Sequence, residues 1–115
     1  MRHTRLAPLA LLMVCATAFA HHGWSSYDAD KVLELTGSIE SASYENPHGM
    51  ATLKTDDATW KVVLAPPSRM QNRGLSRDML VPGTVVTVEG YPHKEDAAEL
   101  RAERITVNGK TVELR

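Results

Sequence analysis

The sequence predicts an all-β domain of the OB-fold type: a five- to six-stranded antiparallel barrel with one short helix between strands three and four. Short segments of alternating apolar and polar residues, each closed by a turn signal, recur along residues 32–115. Their order, three strands, a short helical segment and then further strands, is that of the OB-fold. Gly37 and Gly90 fall inside the first and fourth strands, where a small closed barrel needs bends. An open antiparallel sheet or sandwich, with the helix packed on one side, is the alternative architecture.

The first three strands are predicted between residues 32 and 64. The first begins at Val32 and ends before the loop 45–49, where Pro47 removes a ladder donor. The turn 56–58 separates the second strand from the third, and these two strands are predicted to form a hairpin. Alternation assigns these inward-facing residues: Leu33, Leu35, Ile39, Ala51, Leu53, Trp60, Val62 and Leu64.

Residues 67–72 are predicted to form the short helix, because Pro67 suits a first helical turn and Gly74 suits a C-terminal cap. A single further turn follows Ser76. Strand four is predicted over residues 84–90.

Strand five is predicted over residues 100–107, and its apolar alternation changes phase between Ala102 and Ile105. Such a change indicates a β-bulge, near Glu103 or Arg104. The dipeptide Asn108-Gly109 is a strong hairpin signal, and it predicts that the chain turns back so that residues 111–114 form a final short strand.

Residues 1–20 have the order of a cleavable secretory signal. Two arginines precede the apolar run Leu6–Val14, and Ala18-Phe19-Ala20 resembles a cleavage site. We therefore expect a periplasmic or secreted protein that begins at His21, with an extended arm over residues 21–31 and one barrel domain over residues 32–115. A membrane anchor is not expected, because the apolar run is too short to span a bilayer and Cys15 follows Val14 rather than a small residue.

Composition narrows the possible partners of the mature chain. Of 115 residues, 95 remain after cleavage at residue 20, enough for a single domain. Arg2 and Arg5 leave with the signal, so 13 basic residues become 11 against 14 acidic ones, a formal charge of −3. This balance argues against nucleic acid and anionic membranes as partners. The only cysteine also leaves, so no disulfide is expected.

Several short motifs occur along the mature chain: His21-His22-Gly23-Trp24-Ser25-Ser26-Tyr27-Asp28, Glu45-Asn46-Pro47-His48, Ala65-Pro66-Pro67-Ser68-Arg69, Arg73-Gly74-Leu75, Pro82-Gly83, Gly90-Tyr91-Pro92 and Arg101-Ala102-Glu103-Arg104-Ile105. Together these motifs resemble an exported bacterial family known as domain of unknown function 6152. The resemblance covers nearly the whole mature chain, and the opening His-His and the later Asn-Pro-His are its most particular features. Tyr44 stands where such proteins often have tryptophan. The resemblance implies export but no activity.

The four histidines of the mature chain suggest a metal site. Cleavage gives His21 a free α-amine beside its imidazole, and His22 adds a second imidazole. His48 and His93 fall in the loops after strands one and four, which lie on the binding side of an OB-fold. Nitrogen-rich sites suit copper(II), so we predict a copper carrier or buffer that uses these four residues, in an arrangement resembling a histidine brace. Met50 is a possible soft ligand for copper(I).

Other interpretations of the same residues stay open. The histidines can belong to a solvated tail and to a turn without binding a metal. The barrel can instead bind a small ligand or an envelope protein. Aromatic and amide side chains available for such a ligand groove are Trp24, Tyr27, Tyr44 and Asn46, although Trp24 and Tyr27 are better suited to pinning the arm. We do not expect an enzyme, because there is no Gly-x-Ser-x-Gly motif and no mature cysteine nucleophile. The sequence leaves the oligomeric state and the identity of any metal or ligand open.

Overall fold

A computed structural model of the protein describes residues 23–115. The predicted signal peptide and the predicted ligands His21 and His22 lie outside the described residues. The elements confirm the predicted class of fold, with one helix between the third and fourth strands. They are a 3₁₀ turn Trp24–Ser26, β1 Leu33–Ser43, β2 Met50–Lys54, β3 Thr59–Val63, α1 Pro67–Asn72, a second 3₁₀ turn Arg77–Leu80, β4 Val85–Pro92, β5 Glu99–Val107 and β6 Lys110–Glu113.

The strands close into a barrel, which excludes the open-sheet alternative. Their order is β3-β2-β1-β4-β5-β6, and neighbours in this order are antiparallel. β3 also pairs in parallel with β5, through residues 61–63 and 99–101. This pairing joins the two ends of a five-stranded sheet, and β6 remains as an extra strand beside β5.

The interior is apolar and is filled from every strand. Val62, Leu100, Ala102 and Val107 have no exposed side-chain surface, and α1 adds Met70 to the same cluster. Trp60 only packs against this cluster while remaining half-buried. The alternation of the sequence therefore assigned the inward faces correctly, because successive side chains of a strand point to opposite faces of the barrel wall. Val63 and Arg101 are buried as well, although both lie between inward-facing residues.

The predicted bulge in β5 is present. Glu89 pairs with Arg104 and Gly90 pairs with Ala102, so Glu103 is the extra residue on the β5 strand. Because one extra residue reverses which side chains face inward, the bulge allows both Leu100 and Ile105 to be buried.

Candidate functional site

The amino-terminal arm lies against the end of β4 and the loop after it. Tyr27 forms an isolated antiparallel bridge with His93. The amide of Asp28 donates to the carbonyl oxygen of Pro92 at 2.9 Å, and the amide of Lys94 donates to that of Ser26 at 2.9 Å. The arm is therefore attached to the barrel through its backbone.

Trp24 adds side-chain contacts to this attachment. The guanidinium carbons of Arg101 and Arg115 lie 4.3 Å and 4.5 Å from the centre of its ring. The ring of Tyr91 meets it edge to face, with 5.9 Å between centroids. Cations over an aromatic face are attracted by its quadrupole, so these contacts pin the arm.

The side chain of Tyr27 attaches the arm to the barrel wall. Its side chain is buried, and its hydroxyl donates a hydrogen bond to the Glu99 carboxylate. Lys61 Nζ lies 3.9 Å from the other oxygen of Glu99. Burial, followed by the hydrogen bond to Glu99, raises the pKa of Tyr27 well above its ordinary value. The phenol is thus held protonated as a donor to the carboxylate.

A cavity of about 300 Å³ lies where the arm, the loop after β1, β3 and β5 meet. The loop between strands one and two belongs to the side on which OB-folds bind their ligands. The cavity combines apolar walls with both basic and acidic side chains. It is lined by Tyr27, Pro47, His48, Met50, Lys61, Val63, Glu99 and Arg101.

Arg101 is the buried charge of this site. Its neighbours in β5, Leu100 and Ala102, face the interior, so alternation directs Arg101 outward. It is nevertheless only 9% exposed, because Trp24 and Tyr27 of the arm pack over it. Burial lowers the pKa of Arg101, whose positive charge is costly to remove from water.

The two described histidines of the predicted metal set occupy different environments. His48 is half-buried and lines the cavity. The ring of His93 packs edge to face on Tyr27, at 5.1 Å between centroids. Its Nδ1 accepts hydrogen bonds from the amides of Glu95 and Asp96, at 3.0 Å and 3.1 Å. Within residues 23–115, no three His, Cys, Asp or Glu side chains are grouped closely enough to hold a metal ion.

Two of the predicted groove residues lie away from this cavity's wall. Tyr44 is buried, and its hydroxyl donates to the carbonyl oxygen of Leu75 at 2.5 Å. Arg77 covers the Tyr44 ring at 5.2 Å. Asn46 is exposed in the loop 44–49. Tyr44 therefore fixes the segment after α1, whereas Tyr27 is the predicted groove residue that lines the cavity.

Sequence reasoning missed Lys61, Val63, Glu99 and Arg101 as cavity residues. They come together because β3 and β5 pair in parallel, a contact between segments far apart in the chain. The sequence around Arg101 shows only that it stands between two apolar residues of a predicted strand, where alternation places a surface residue. That pattern does not distinguish a buried arginine from an exposed one.

A Tyr27→Phe substitution is expected to reduce the loss of stability at alkaline pH. Because the pKa of Tyr27 is raised in the folded state, its contribution is complete below the unfolded pKa of about 10 and is lost as the pH rises above it. The slope in the free energy of unfolding should become shallower by up to about 1.4 kcal/mol per pH unit. Burial of Tyr44, and the hydrogen bond of Tyr91 to Glu103, raise the pKa values of these tyrosines and leave a residual slope.

Urea unfolding of both proteins between about pH 8 and pH 11.5 measures this difference, since the window brackets the ordinary tyrosine pKa. Equal slopes in the two proteins would show that Tyr27 ionises equally easily in the folded and unfolded chains. A Tyr27→Phe protein that is less stable by a constant amount at every pH would lead to the same conclusion.

The fold defines the chain as an OB-type barrel, and comparison with known proteins agrees. The chain resembles the crystal structure of TiaS in complex with tRNA and ATP, with 24% identity and a TM-score of 0.52, over 77% of this chain and 20% of that one. A ZRD-deleted TiaS mutant in complex with agmatine gives 24% and 0.51, over 74% and 24%. The chain thus spans about a fifth to a quarter of these proteins, and the likeness shows the fold alone.

The chain belongs to the family of unknown function DUF6152, which matches residues 10–101. The resemblance seen in its motifs is therefore confirmed. No curated protein matches the chain. Among the described residues, no helix has the length and apolar character needed to cross a membrane.

Proposed function

We propose that the protein is an exported copper-binding protein of the periplasm or the extracellular space, and that it carries or buffers the metal. The α-amine and imidazole of His21, the imidazole of His22 and the imidazole of His48 would supply the ligands. The observation that carries this proposal is the attachment of the arm. Trp24 and Tyr27 both contact Arg101, and Arg101 lines the same cavity as His48.

The chain length before Trp24 supports this arrangement. His21 stands only two residues before Gly23, and an extended chain covers about 3.3–3.6 Å per residue. Two residues therefore span about 7 Å, to which the imidazole adds its own length. We infer that the amino terminus can reach the cavity from the position at which Trp24 is fixed.

The ligand chemistry of the cavity also suits copper. Amine and imidazole nitrogens favour copper(II) in tetragonal geometry, whereas a thioether favours copper(I). Met50 lines the cavity together with His48, so its thioether could bind copper(I). We propose binding without catalysis, because the sequence has no nucleophile motif that could act on a substrate.

Copper(II) titration of the exported protein tests the proposal, once mass spectrometry has verified that the chain begins at His21. We expect one tightly bound ion with a nitrogen-rich electron paramagnetic resonance spectrum. A His48→Ala substitution should weaken binding by about tenfold or more, since it removes a ligand.

His93→Ala is the matched control, because the Nδ1 atom of His93 already accepts two backbone hydrogen bonds. It should change the affinity by less than about threefold, which corresponds to less than about 1 kcal/mol. Unchanged binding in the His48→Ala protein would reject His48 as a ligand. An equal loss in both variants would assign His93 to the site as well.

A further inference from the structure

We propose that a groove beside β1 binds the carboxy-terminal end of an extended polypeptide from another protein. We call it the β1 groove. It is lined by residues 41–44 and, from the second 3₁₀ turn and the chain after it, by Arg77, Leu80, Val81 and Pro82. It shares no lining residue with the cavity beside His48, so this inference does not depend on copper.

The backbone of Ala42 is available to a second extended chain. The amide of Thr55 donates to the carbonyl oxygen of Ala58 at 2.9 Å, across the hairpin of β2 and β3. Because backbone groups alternate between the two sides of a strand, those of Ala51 also face β3. Ala51 is the partner of Ala42 in the β1–β2 ladder, so the N–H and C=O groups of Ala42 point away from β2.

Among residues 23–115, no strand pairs with β1 on that side of Ala42. β4 pairs with β1 only through residues 33–38, and the last contact of this chain segment is the amide of Gly83, which donates to the carbonyl oxygen of Ile39 at 2.8 Å. The chain before Gly83 forms the opposite wall of the groove. Unpaired edge groups are a template for another strand, and the small side chains of Ser41, Ala42 and Ser43 allow a second backbone to approach.

The opposite wall and the size of the groove indicate a short apolar segment. Val81 is 50% exposed, and Leu80 and Pro82 lie beside it in the lining. The volume of about 310 Å³ is at the small end of ligand sites, which run from about 300 to 1,000 Å³. A groove of this size suits the last residues of a chain better than a long segment that passes through it.

Arg77 provides the charge that selects a chain end. Among the described residues that line the groove, it alone is charged. Its guanidinium carbon lies 5.2 Å from the centre of the Tyr44 ring, and its Nη2 donates to the carbonyl oxygen of Tyr44 at 3.4 Å. A guanidinium has five N–H donors, so donors remain for a carboxylate, which it can bind through two parallel hydrogen bonds. A free carboxy terminus supplies this carboxylate together with the extended backbone next to it.

Calorimetry and amide chemical-shift titration of the metal-free mature protein test this proposal. The probe is acetyl-Gly-Val-Val with a free carboxylate, and its carboxamide is the uncharged counterpart. We expect saturable one-to-one binding of the free acid, with shifts centred on Ala42 and Val81. The carboxamide should bind about tenfold more weakly or worse, as the loss of a hydrogen bond to a charged group predicts, and Arg77→Gln should weaken binding of the acid by a similar factor. The acid methylated on all its amide nitrogens cannot donate to Ala42 and should lose about fivefold or more.

Val81→Asp and Val85→Asp form a matched pair that guards against an effect on folding. Both valines are exposed, at 50% and 63%, but only Val81 lines the groove. Val81→Asp should weaken binding of the acid by about tenfold or more, since it removes apolar surface and repels the carboxylate. Val85→Asp should leave the affinity unchanged.

Several results would overturn the proposal: no saturable binding of the free acid, equal binding of its carboxamide, equal losses of affinity in the two valine variants, or unchanged affinity in Arg77→Gln. Equal affinity for acetyl-Gly-Glu-Val carboxamide would also overturn it, in favour of an acidic side chain within a longer segment. Failure of the copper proposal is separable. A protein with the tripeptide Gly-Ser-Ser added before His21 should keep its peptide affinity whatever happens to copper.

Discussion

The tripeptide Gly-Ser-Ser placed before His21 is expected to lower the affinity of the mature protein for copper(II) by about a hundredfold or more, since a lost ligand should cost at least as much as a lost outer-shell partner. The added residues move the free α-amine away from the His21 imidazole and replace it with an amide, and three residues keep both histidines out of the third position, where an imidazole would chelate copper(II) together with the new amine. A strong nitrogen donor and its chelate ring are thereby lost together. The imidazoles of His21, His22 and His48 would remain in this variant.

Competition with a coloured copper chelator measures the change in affinity. The same tripeptide added after Arg115 is the matched control, because it alters the length of the chain equally but leaves the amino terminus intact. If the two extended proteins bind copper equally, the α-amine is not a ligand and the proposed site loses its defining feature.

Gly90→Ala is expected to lower the free energy of unfolding by about 3 kcal/mol or more, at the upper end of what overpacking costs. A Cβ atom at Gly90 would lie 2.1 Å from the carbonyl oxygen of Arg101 and 2.8 Å from the Cα of Ala102. Both atoms belong to the backbone of β5, so a side-chain rotation cannot relieve the clash. β4 and β5 would have to separate at the bulge.

Urea unfolding monitored by tryptophan fluorescence measures the effect. Gly23→Ala is the control, because Gly23 has an ordinary φ of −82° and its Cβ would meet no atom within 4 Å. It should change stability by less than about 0.5 kcal/mol. A loss below about 1 kcal/mol in Gly90→Ala would mean that the two strands adjust readily to a side chain.

Local patterns were enough to predict most of the barrel. The reversal of alternation in β5 predicted a bulge near Glu103 or Arg104, because side chains of a strand alternate strictly between its two faces, and the extra residue is Glu103. Asn108 and Gly109 both adopt positive φ, at 52° and 79°, as a tight hairpin of this dipeptide requires. Each of these signals depends on neighbouring residues, which is why it can be read without the fold.

The candidate site was predicted only in part. His48 was identified because an unusual residue in a predicted loop is visible in the sequence, and it does line the cavity. His93 was identified in the same way, as a histidine in a predicted loop, but its ring packs on Tyr27. Nothing local distinguishes the two, since the difference comes from where the arm is attached.

The sequence by itself determined the strands, their inward faces, the bulge and the short helix, because alternation, proline and glycine act over a few residues. Only the tertiary structure decided that Arg101, on the outer face of β5, is buried. Its burial requires β3 and β5 to pair across the barrel and the arm to return over them. Contacts of this kind join residues far apart in the chain, such as Tyr27 and Glu99, and their energy depends on packing and desolvation that no short stretch of sequence encodes.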